Sequence, residues 1–385
     1  MLYPEDIQAH RRLGNYYVKT AQIDKAAASY NRILELDPEQ HDYLITLGDL
    51  YTGVGRYREA LTSYQKYGER LPSQAKSLLG MARTYLEMGK FAEAESSYRQ
   101  ALSLDPDNAE ASLGLGIIQM RRGNLAQALK QYKTALGQSQ LPEEKEQVYA
   151  ELSNYYQLKG QWQNVLKNLP AWFATRTQNN GLINTLLIEA FYAQVYVVAG
   201  RKDEAFAVLK SIETRIEPTP LLRSFVLLGY LGVYLELEDA GRAKSLVAQI
   251  EKIFKDYGLN QLRNSVGLTE SRGRIAELQG DYRRALQTYR QHLQEDPTKV
   301  LTNIEIGRVY RRLKDYNNAR TALQKALNFY PSHPEAHYEL ANVYAEQGDR
   351  AAALKEVRLA LKIWADADPS YELARKARAL EARLR

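Results

Sequence analysis

The sequence predicts an all-α fold, an α-solenoid of about ten stacked helical hairpins followed by a C-terminal capping helix. Three observations predict it. The same residue types return every 34 positions along most of the 385-residue chain, apolar residues within each repeat follow helical spacing, and glycine and proline fall at fixed points between the helices. A helical hairpin of this size cannot bury its apolar faces alone, so neighbouring copies must stack.

The repeat starts at residues 7, 41, 75 and 109, and again at 266, 300 and 334. A small residue at position 8 of the repeat is expected where the first helix closely approaches a small residue at position 20 of the second. A glycine then ends the first helix in a left-handed conformation, and a proline closes the second helix. The second copy shows the pattern with Leu47, Gly48, Tyr51, Gly55, Ala60, Tyr64 and Pro72. The expected turn glycines are Gly55, Gly89, Gly123, Gly160, Gly200, Gly280 and Gly348, and the closing prolines are Pro38, Pro72, Pro106, Pro297 and Pro331.

These residues in a 34-residue frame resemble the tetratricopeptide repeat (TPR). The resemblance rests on several positions in each of seven near-ideal copies. It implies a right-handed superhelix in which the first helices of successive hairpins line a concave groove. It also implies a scaffold that binds other proteins through this groove.

Four segments are predicted from the regularity of the repeat. Residues 1–145 form a regular array of about four repeats, 146–265 form longer, irregular hairpins, 266–368 form three regular repeats, and 369–385 form the capping helix, from about Tyr371 to Arg385. Pro170 and the polar residues 178–181 predict a break in the irregular middle that bends the superhelix.

Three aromatic residues of the irregular middle lie outside the repeat columns: Trp162, Trp172 and Phe173. Two interpretations stay open at this point. These side chains either belong to a groove insert or ligand site, or they provide extra packing in the longer hairpins.

Composition and motifs exclude most catalytic chemistry. The absence of cysteine excludes disulfides, thiolate zinc sites and cysteine nucleophiles. The sequence holds no phosphate loop, nucleophile elbow or zinc-protease motif. The pair His333 and His337 is assigned to a helix-entry loop and the first turn of its helix rather than to a metal site. We therefore expect a non-enzymatic protein with no metal and no cofactor.

Candidate partner-binding residues lie on the side of each first helix that faces away from its own hairpin. Arg11, Asn15 and Lys76 are similar to part of the carboxylate clamp of chaperone-binding TPR proteins, but Thr46 and Gly80 replace the other two clamp residues. The full set predicted for the groove is Arg11, Asn15, Lys76, Arg83, Arg274, Arg308, Arg311, Arg312 and Asn342.

The charge is concentrated near the C-terminus. The net charge is −1 over residues 1–150, +1 over 151–260 and +6 over 261–385. One interpretation places an acidic or phosphorylated partner segment on Arg274, Arg308, Arg311 and Arg312. The alternative is a ladder of charges between adjacent helices, in which these arginines face Glu270, Glu277, Glu305, Glu335, Glu339 and Glu346. The sequence lacks a basic stripe with interleaved aromatic residues, so nucleic-acid binding is not predicted.

The sequence therefore predicts a protein-interaction scaffold that binds a peptide or an extended segment of a partner protein. Two alternatives remain, a self-assembling scaffold that forms homo-oligomers and a sensory or regulatory region of a bacterial signalling or transcription protein. The second rests on residues 364–369, which resemble a tail common in bacterial TPR regions. The sequence contains no run of eighteen apolar residues, so membrane insertion is not predicted. A complete chain is expected in the cytoplasm, and the compartment is open for an excised region or a mature envelope protein.

Overall fold

The computed structural model describes residues 5–216, 219–259, 267–296 and 299–385, and the side chains at 176–185, 187 and 191 are not described. Every regular element within these ranges is a helix, which confirms the predicted all-α class. The chain divides into two compact units. Unit 1 comprises the residues up to Gln119 together with Leu125–Gln140, and unit 2 comprises Met120–Asn124 together with Leu141–Arg385.

Unit 1 consists of hairpins one to four. Asp6 starts the first helix, since its carboxylate accepts the Gln8 backbone N–H at 2.8 Å. The helices are α1 (Ile7–Lys19), α2 (Ile23–Leu36), α3 (Asp42–Gly53), α4 (Tyr57–Arg70), α5 (Lys76–Glu87), α6 (Phe91–Leu104), α7 (Ala109–Arg121), whose last two residues belong to unit 2, and α8 (Leu125–Gln138).

Unit 2 continues the series with hairpins five to ten and a final helix. Its helices are α9 (Pro142–Leu158), α10 (Trp162–Val198), α11 (Lys202–Arg215), α12 (Pro220–Glu236), α13 (Ala240–Asp256), α14 (Leu268–Leu278), α15 (Tyr282–Glu295), α16 (Asn303–Arg312), α17 (Tyr316–Phe329), α18 (Pro334–Glu346), α19 (Arg350–Ile363) and α20 (Glu372–Leu384), with a 3₁₀ turn at Val300–Thr302. Hairpins five and six share α10, so the described helices form the ten predicted hairpins and the capping helix. Pro297 and the start at residue 266 lie outside the described residues.

The turn inside each hairpin uses the left-handed backbone conformation that the glycine column predicts. All seven predicted turn glycines have positive φ, between 67° and 82°. Where the column lacks glycine, Ala21, Glu238 and Lys314 adopt φ of 55° to 60° in the same place. The turn geometry is therefore kept even where the side chain makes it costly.

The small residue at position 8 makes room for the side chain at position 24 of the second helix. A Cβ placed on Gly48 would lie 2.4 Å from Cε1 of Tyr64, a ring at position 24 of the second helix. A Cβ on Gly80, in the next hairpin, would lie 2.3 Å from the same ring atom. The edge of the Tyr64 ring therefore fills a slot between two first helices, and this contact joins hairpins as well as closing one.

The predicted break near Pro170 is wrong, because α10 continues through Pro170 and through residues 178–181 without interruption. Proline removes one helical hydrogen bond, but a helix bears that loss where side chains on both sides of it are well packed. Val165, Leu169 and Trp172 are at most 5% exposed and form one buried face that passes through the proline.

Extra packing accounts for the three unassigned aromatic residues. Trp172 lies 5.0 Å from the ring of Tyr192, and Phe173 lies 6.3 Å from the same ring. Trp162 lies 6.0 Å from Tyr371. The helices of this region are also longer, with 17 residues in each of α9, α12 and α13 against 12 to 14 in α1 to α8.

Candidate functional site

The first helices of unit 1 are joined by ion pairs between equivalent positions of adjacent hairpins. Lys76 Nζ lies 3.1 Å from Asp42 Oδ1, and Arg83 Nη2 lies 2.7 Å from Asp49 Oδ1. The other terminal nitrogen of the Arg83 guanidinium, Nη1, lies 2.9 Å from Glu110 Oε1. The sequence predicted Lys76 and Arg83 for the groove, and the structure places both within this ladder.

The residues that resemble a carboxylate clamp differ in how far they are engaged. Arg11 and Asn15 are exposed one turn apart on α1, and Asn15 Oδ1 accepts the hydroxyl of Tyr30 at 2.8 Å. Lys76 is held by Asp42. Gly80 is required as glycine by the Tyr64 ring, so no longer side chain fits at this clamp position.

In unit 2, Arg308 is surrounded by carboxylates from neighbouring first helices. Its Nε lies 2.7 Å from Glu277 Oε1 and its Nη1 lies 2.9 Å from Glu335 Oε1, while the side chain is only 15% exposed. Arg274 lies 3.5 Å from Glu277 as well. Burial raises the pKa of Glu277, but the Arg308 guanidinium outweighs burial and holds that pKa below its ordinary value.

Arg311 forms a second buried pair one turn further along α16. Its Nη2 lies 3.0 Å from Glu339 Oε2, and the two side chains are 9% and 5% exposed. Its Nη1 lies 2.6 Å from Glu346 Oε1. Arg312, the next residue, is exposed, and Asn342 donates a hydrogen bond to the Tyr338 carbonyl oxygen at 2.9 Å. Of the predicted arginines in α16, two are thus bound by glutamates of the chain itself.

Carboxylates outnumber arginines on this face. Burial raises the pKa of Glu305 to about 8, and Glu335 adds to the rise. Partial desolvation also raises the pKa of Glu236 to about 7, although this side chain at the end of α12 is solvent-exposed, and Glu335 again contributes. We call this surface of α12, α14, α16 and α18 the acidic face; it comprises Glu236, Glu270, Glu277, Glu305, Glu335, Glu339 and Glu346 with Arg274, Arg308 and Arg311.

Most residues of the acidic face were identified from the sequence, but Glu236 was missed. This residue ends α12, in the irregular middle where no groove positions were assigned. The sign of the charge was also not evident from the net charge. Many basic residues of the last third are exposed on second helices or on α20, including Arg283, Arg284, Arg290, Arg375, Arg378 and Arg383.

The described residues bear on two further kinds of site, a metal site and a membrane-spanning helix. Within them, no group of three or more histidine, aspartate or glutamate side chains is placed to hold a metal ion. His337 instead contacts Glu356 at 2.7 Å and the Pro331 carbonyl oxygen at 2.9 Å. No described helix has both the length and the apolar character needed to cross a membrane.

Comparisons with known proteins match the repeat pattern. Family models described as tetratricopeptide repeats match residues 7–40, 41–107, 79–141, 273–300, 307–348 and 334–363. An alignment over 125 residues, which covers 29% of this chain, is 27% identical to the cellulose synthase operon protein C of Pseudomonas fluorescens (strain SBW25), and the match spans 10% of that relative's length.

Two solved structures resemble the fold. MamA shares 18% sequence identity at a TM-score of 0.34, and the match covers 47% of this chain and 98% of MamA. Yeast Tom70 shares 14% identity at a TM-score of 0.39, with 98% of this chain and 95% of Tom70 covered.

Proposed function

The chain belongs to the tetratricopeptide repeat family, and on that basis we propose that it is a non-enzymatic scaffold that binds an extended segment of a partner protein along the groove of its first helices. The ladder of ion pairs between successive first helices carries this proposal. It holds polar side chains in place before a partner arrives, so binding costs less side-chain entropy. Within unit 1 the ladder consists of Lys76–Asp42 and Arg83–Asp49, and within unit 2 the corresponding pairs are Arg308–Glu277, Arg308–Glu335, Arg311–Glu339 and Arg311–Glu346.

The acidic face favours a basic partner segment over the acidic one that was left open as an interpretation of the sequence. An acidic segment would compete with Glu277 and Glu339 for Arg308 and Arg311, and would leave buried carboxylates without a partner. A basic segment would instead approach Glu236 and Glu305. Desolvation raises the pKa of both carboxyl groups and the nearby Glu335 raises it further, so a cation beside them would favour their charged form. Neutralising them relieves repulsion rather than breaking an existing pair.

The experiment compares three fluorescein-labelled peptides of equal length, built on Gly-Ser sequence with five lysines, five glutamates or no charged residue. Binding to the intact protein is measured by fluorescence anisotropy at pH 8 over a range of salt concentrations. We expect the lysine peptide to bind most tightly and to weaken as salt rises. Its affinity should also increase between pH 6 and pH 8 as Glu236 and Glu305 lose their protons.

Matched variants locate the binding surface. Glu236→Gln and Glu305→Gln should each weaken binding of the lysine peptide, whereas Glu69→Gln, at an exposed site of α4, should not. Preference for the glutamate peptide, lost in Arg308→Ala, would contradict the basic-segment proposal and restore the acidic one. Equal weak binding of all three peptides would contradict a charged groove altogether.

A further inference from the structure

Two segments more than 200 residues apart in the sequence meet within unit 2. The first is the turn between α9 and α10, residues 158–163. The second is the connection between α19 and α20, residues 364–371. Trp364 Nε1 donates to the Leu158 carbonyl oxygen at 3.0 Å, and the Asp368 backbone N–H donates to the Gly160 carbonyl oxygen at 2.9 Å.

Side-chain contacts reinforce this junction. Lys159 Nζ lies 3.1 Å from Asp366 Oδ2, and Gln161 Nε2 donates to the Asp366 carbonyl oxygen at 3.1 Å. Trp364 is 1% exposed, and its ring lies 5.7 Å from that of Tyr371. The junction therefore combines a buried aromatic core with a rim of hydrogen bonds, the usual composition of a specific interface.

Asp368 supplies a helix cap that α10 lacks. In hairpins seven to ten, the second helix begins with an aspartate whose own carboxylate accepts a backbone N–H of the first turn; these residues are Asp239, Asp281, Asp315 and Asp349. The equivalent residue before α10 is Gln161, whose side chain makes no cap. The Gln163 N–H of α10 is bound instead by Asp368 Oδ2 at 2.9 Å.

Gly160 fits the junction because it has no side chain. A Cβ at Gly160 would lie 2.3 Å from Cδ1 of Tyr371 and 3.0 Å from the Cβ of Ala367. Gly280 occupies the same turn position in hairpin eight with similar φ, 77° against 67°, and a Cβ there would meet nothing within 4 Å. The crowding at Gly160 thus comes from residues 364–371 and not from the turn itself.

A second contact lies beside the first. Ser332, in the loop between α17 and α18, donates its hydroxyl to the Met120 and Arg121 carbonyl oxygens at 3.0 and 2.9 Å. The Arg121 guanidinium lies 4.7 Å above the ring of Phe329. All of these residues belong to unit 2. The loop between α17 and α18 and the connection between α19 and α20 therefore both contact parts of unit 2 that come much earlier in the sequence.

From these contacts we infer that residues 364–371 are a clasp that closes unit 2 into a ring and fixes the spacing of the first helices that carry the acidic face. Hairpin arrays normally behave as a row of units stabilised by nearest neighbours. The clasp joins hairpin five to hairpin ten, so opening at one end is coupled to the other. The effect on partner binding rests on the proposed function, whereas ring closure does not.

The clasp is tested by distance measurement in the intact chain, which has no cysteine of its own. Spin labels at Lys167→Cys and Arg375→Cys, exposed sites on α10 and α20, should give one narrow distance distribution by double electron–electron resonance. Gly160→Ala should broaden it, and Gly280→Ala, which imposes comparable backbone strain, should leave it narrow. Asp368→Ala offers a second route, because it removes the cap without adding strain.

Hydrogen exchange provides a local readout. In Gly160→Ala and Asp368→Ala, the Gln163 amide should exchange faster while the amides of α14–α17 keep their protection. An unchanged distance distribution in both variants would overturn the clasp. A distance that appears only as protein concentration rises would also overturn it, because the contact would then join two molecules.

The lysine peptide then tests the link to binding. If ring closure organises the acidic face, Gly160→Ala should lower the affinity for the lysine peptide by about fivefold or more relative to Gly280→Ala. A ring that opens with no change in affinity would refute this link and leave the clasp in place. Failure of the peptide to bind any variant would contradict the proposed function, and the distance measurement would still decide the clasp.

Discussion

Replacing Gly80 with alanine should destabilise unit 1 although alanine is the better helix former. The added Cβ would lie 2.3 Å from Cε1 of Tyr64, which is 1% exposed. The same ring atom would be 2.4 Å from a Cβ on Gly48. Because the ring edge is enclosed by α3 and α5, it cannot move away from one helix without a change in packing against the other.

The size of the effect follows from two opposing contributions. Alanine in place of glycine within a helix stabilises by about 0.5–1 kcal/mol, whereas overpacking a filled core costs about 1–3 kcal/mol. Because the ring is enclosed, the overpacking cost of Gly80→Ala should lie in the upper part of that range. The free energy of unfolding should therefore fall by about 1–2 kcal/mol. At Gly53, where a Cβ would meet nothing within 4 Å, the same substitution should be neutral or stabilising.

Native-state hydrogen exchange on the intact chain measures this difference where it arises. The opening free energy of amides in α3–α6 should fall in Gly80→Ala and not in Gly53→Ala, while amides of unit 2 serve as an internal reference. Tyr64→Ala in the Gly80→Ala background should cost less than Tyr64→Ala alone, since the clash is then absent. Equal stability of Gly80→Ala and Gly53→Ala would refute the slot as the contact that joins hairpins two and three.

Two further predictions concern the acidic face. Arg311→Ala leaves the buried Glu339 carboxylate unpaired and should lower the free energy of unfolding, measured by urea denaturation, by about 3 kcal/mol. Arg312→Ala, at an exposed site, should change it by no more than about 0.5 kcal/mol. Equal effects would contradict a structural role for Arg311. The pKa of Glu305 is raised to about 8, so the folded state holds this proton more tightly than the unfolded state, and stability should fall as pH rises from about 5 to 8. Glu305→Gln should remove this part of the pH dependence, and parallel urea midpoints for both proteins across the range would contradict it.

Features that depend on one hairpin or its neighbour could be predicted from the sequence. The seven turn glycines, the final helix and the count of hairpins all follow from a local pattern repeated along the chain. The role of the position-8 glycine was only partly evident, because the side chain nearest to it is the one at position 24, a tyrosine in most copies and Leu323 beside Gly307. Periodicity shows which residues recur, and packing decides which of them meet.

The break expected at Pro170 shows where a local rule was outweighed. Proline is a strong signal for the end of a helix when the flanking residues gain nothing by continuing. Here the buried face of Val165, Leu169 and Trp172 continues past the proline, and the helix is stabilised by packing along its length. Such compensation depends on neighbours brought in by the fold and is not visible in the spacing of residues.

Ring closure and the acidic face share one physical origin, and both depend on geometry that accumulates along the chain. Each hairpin adds a small rotation, and only the sum over hairpins five to ten brings Asp368 to the uncapped start of α10. The same rotation turns the glutamates of successive first helices toward one surface while exposed arginines of second helices stay outside it. Residues 261–385, with a net charge of +6, therefore still contribute most of the acidic face. The sign of charge that a partner meets is set by which helix carries each residue, and the clasp, by fixing the rotation, keeps those carboxylates together.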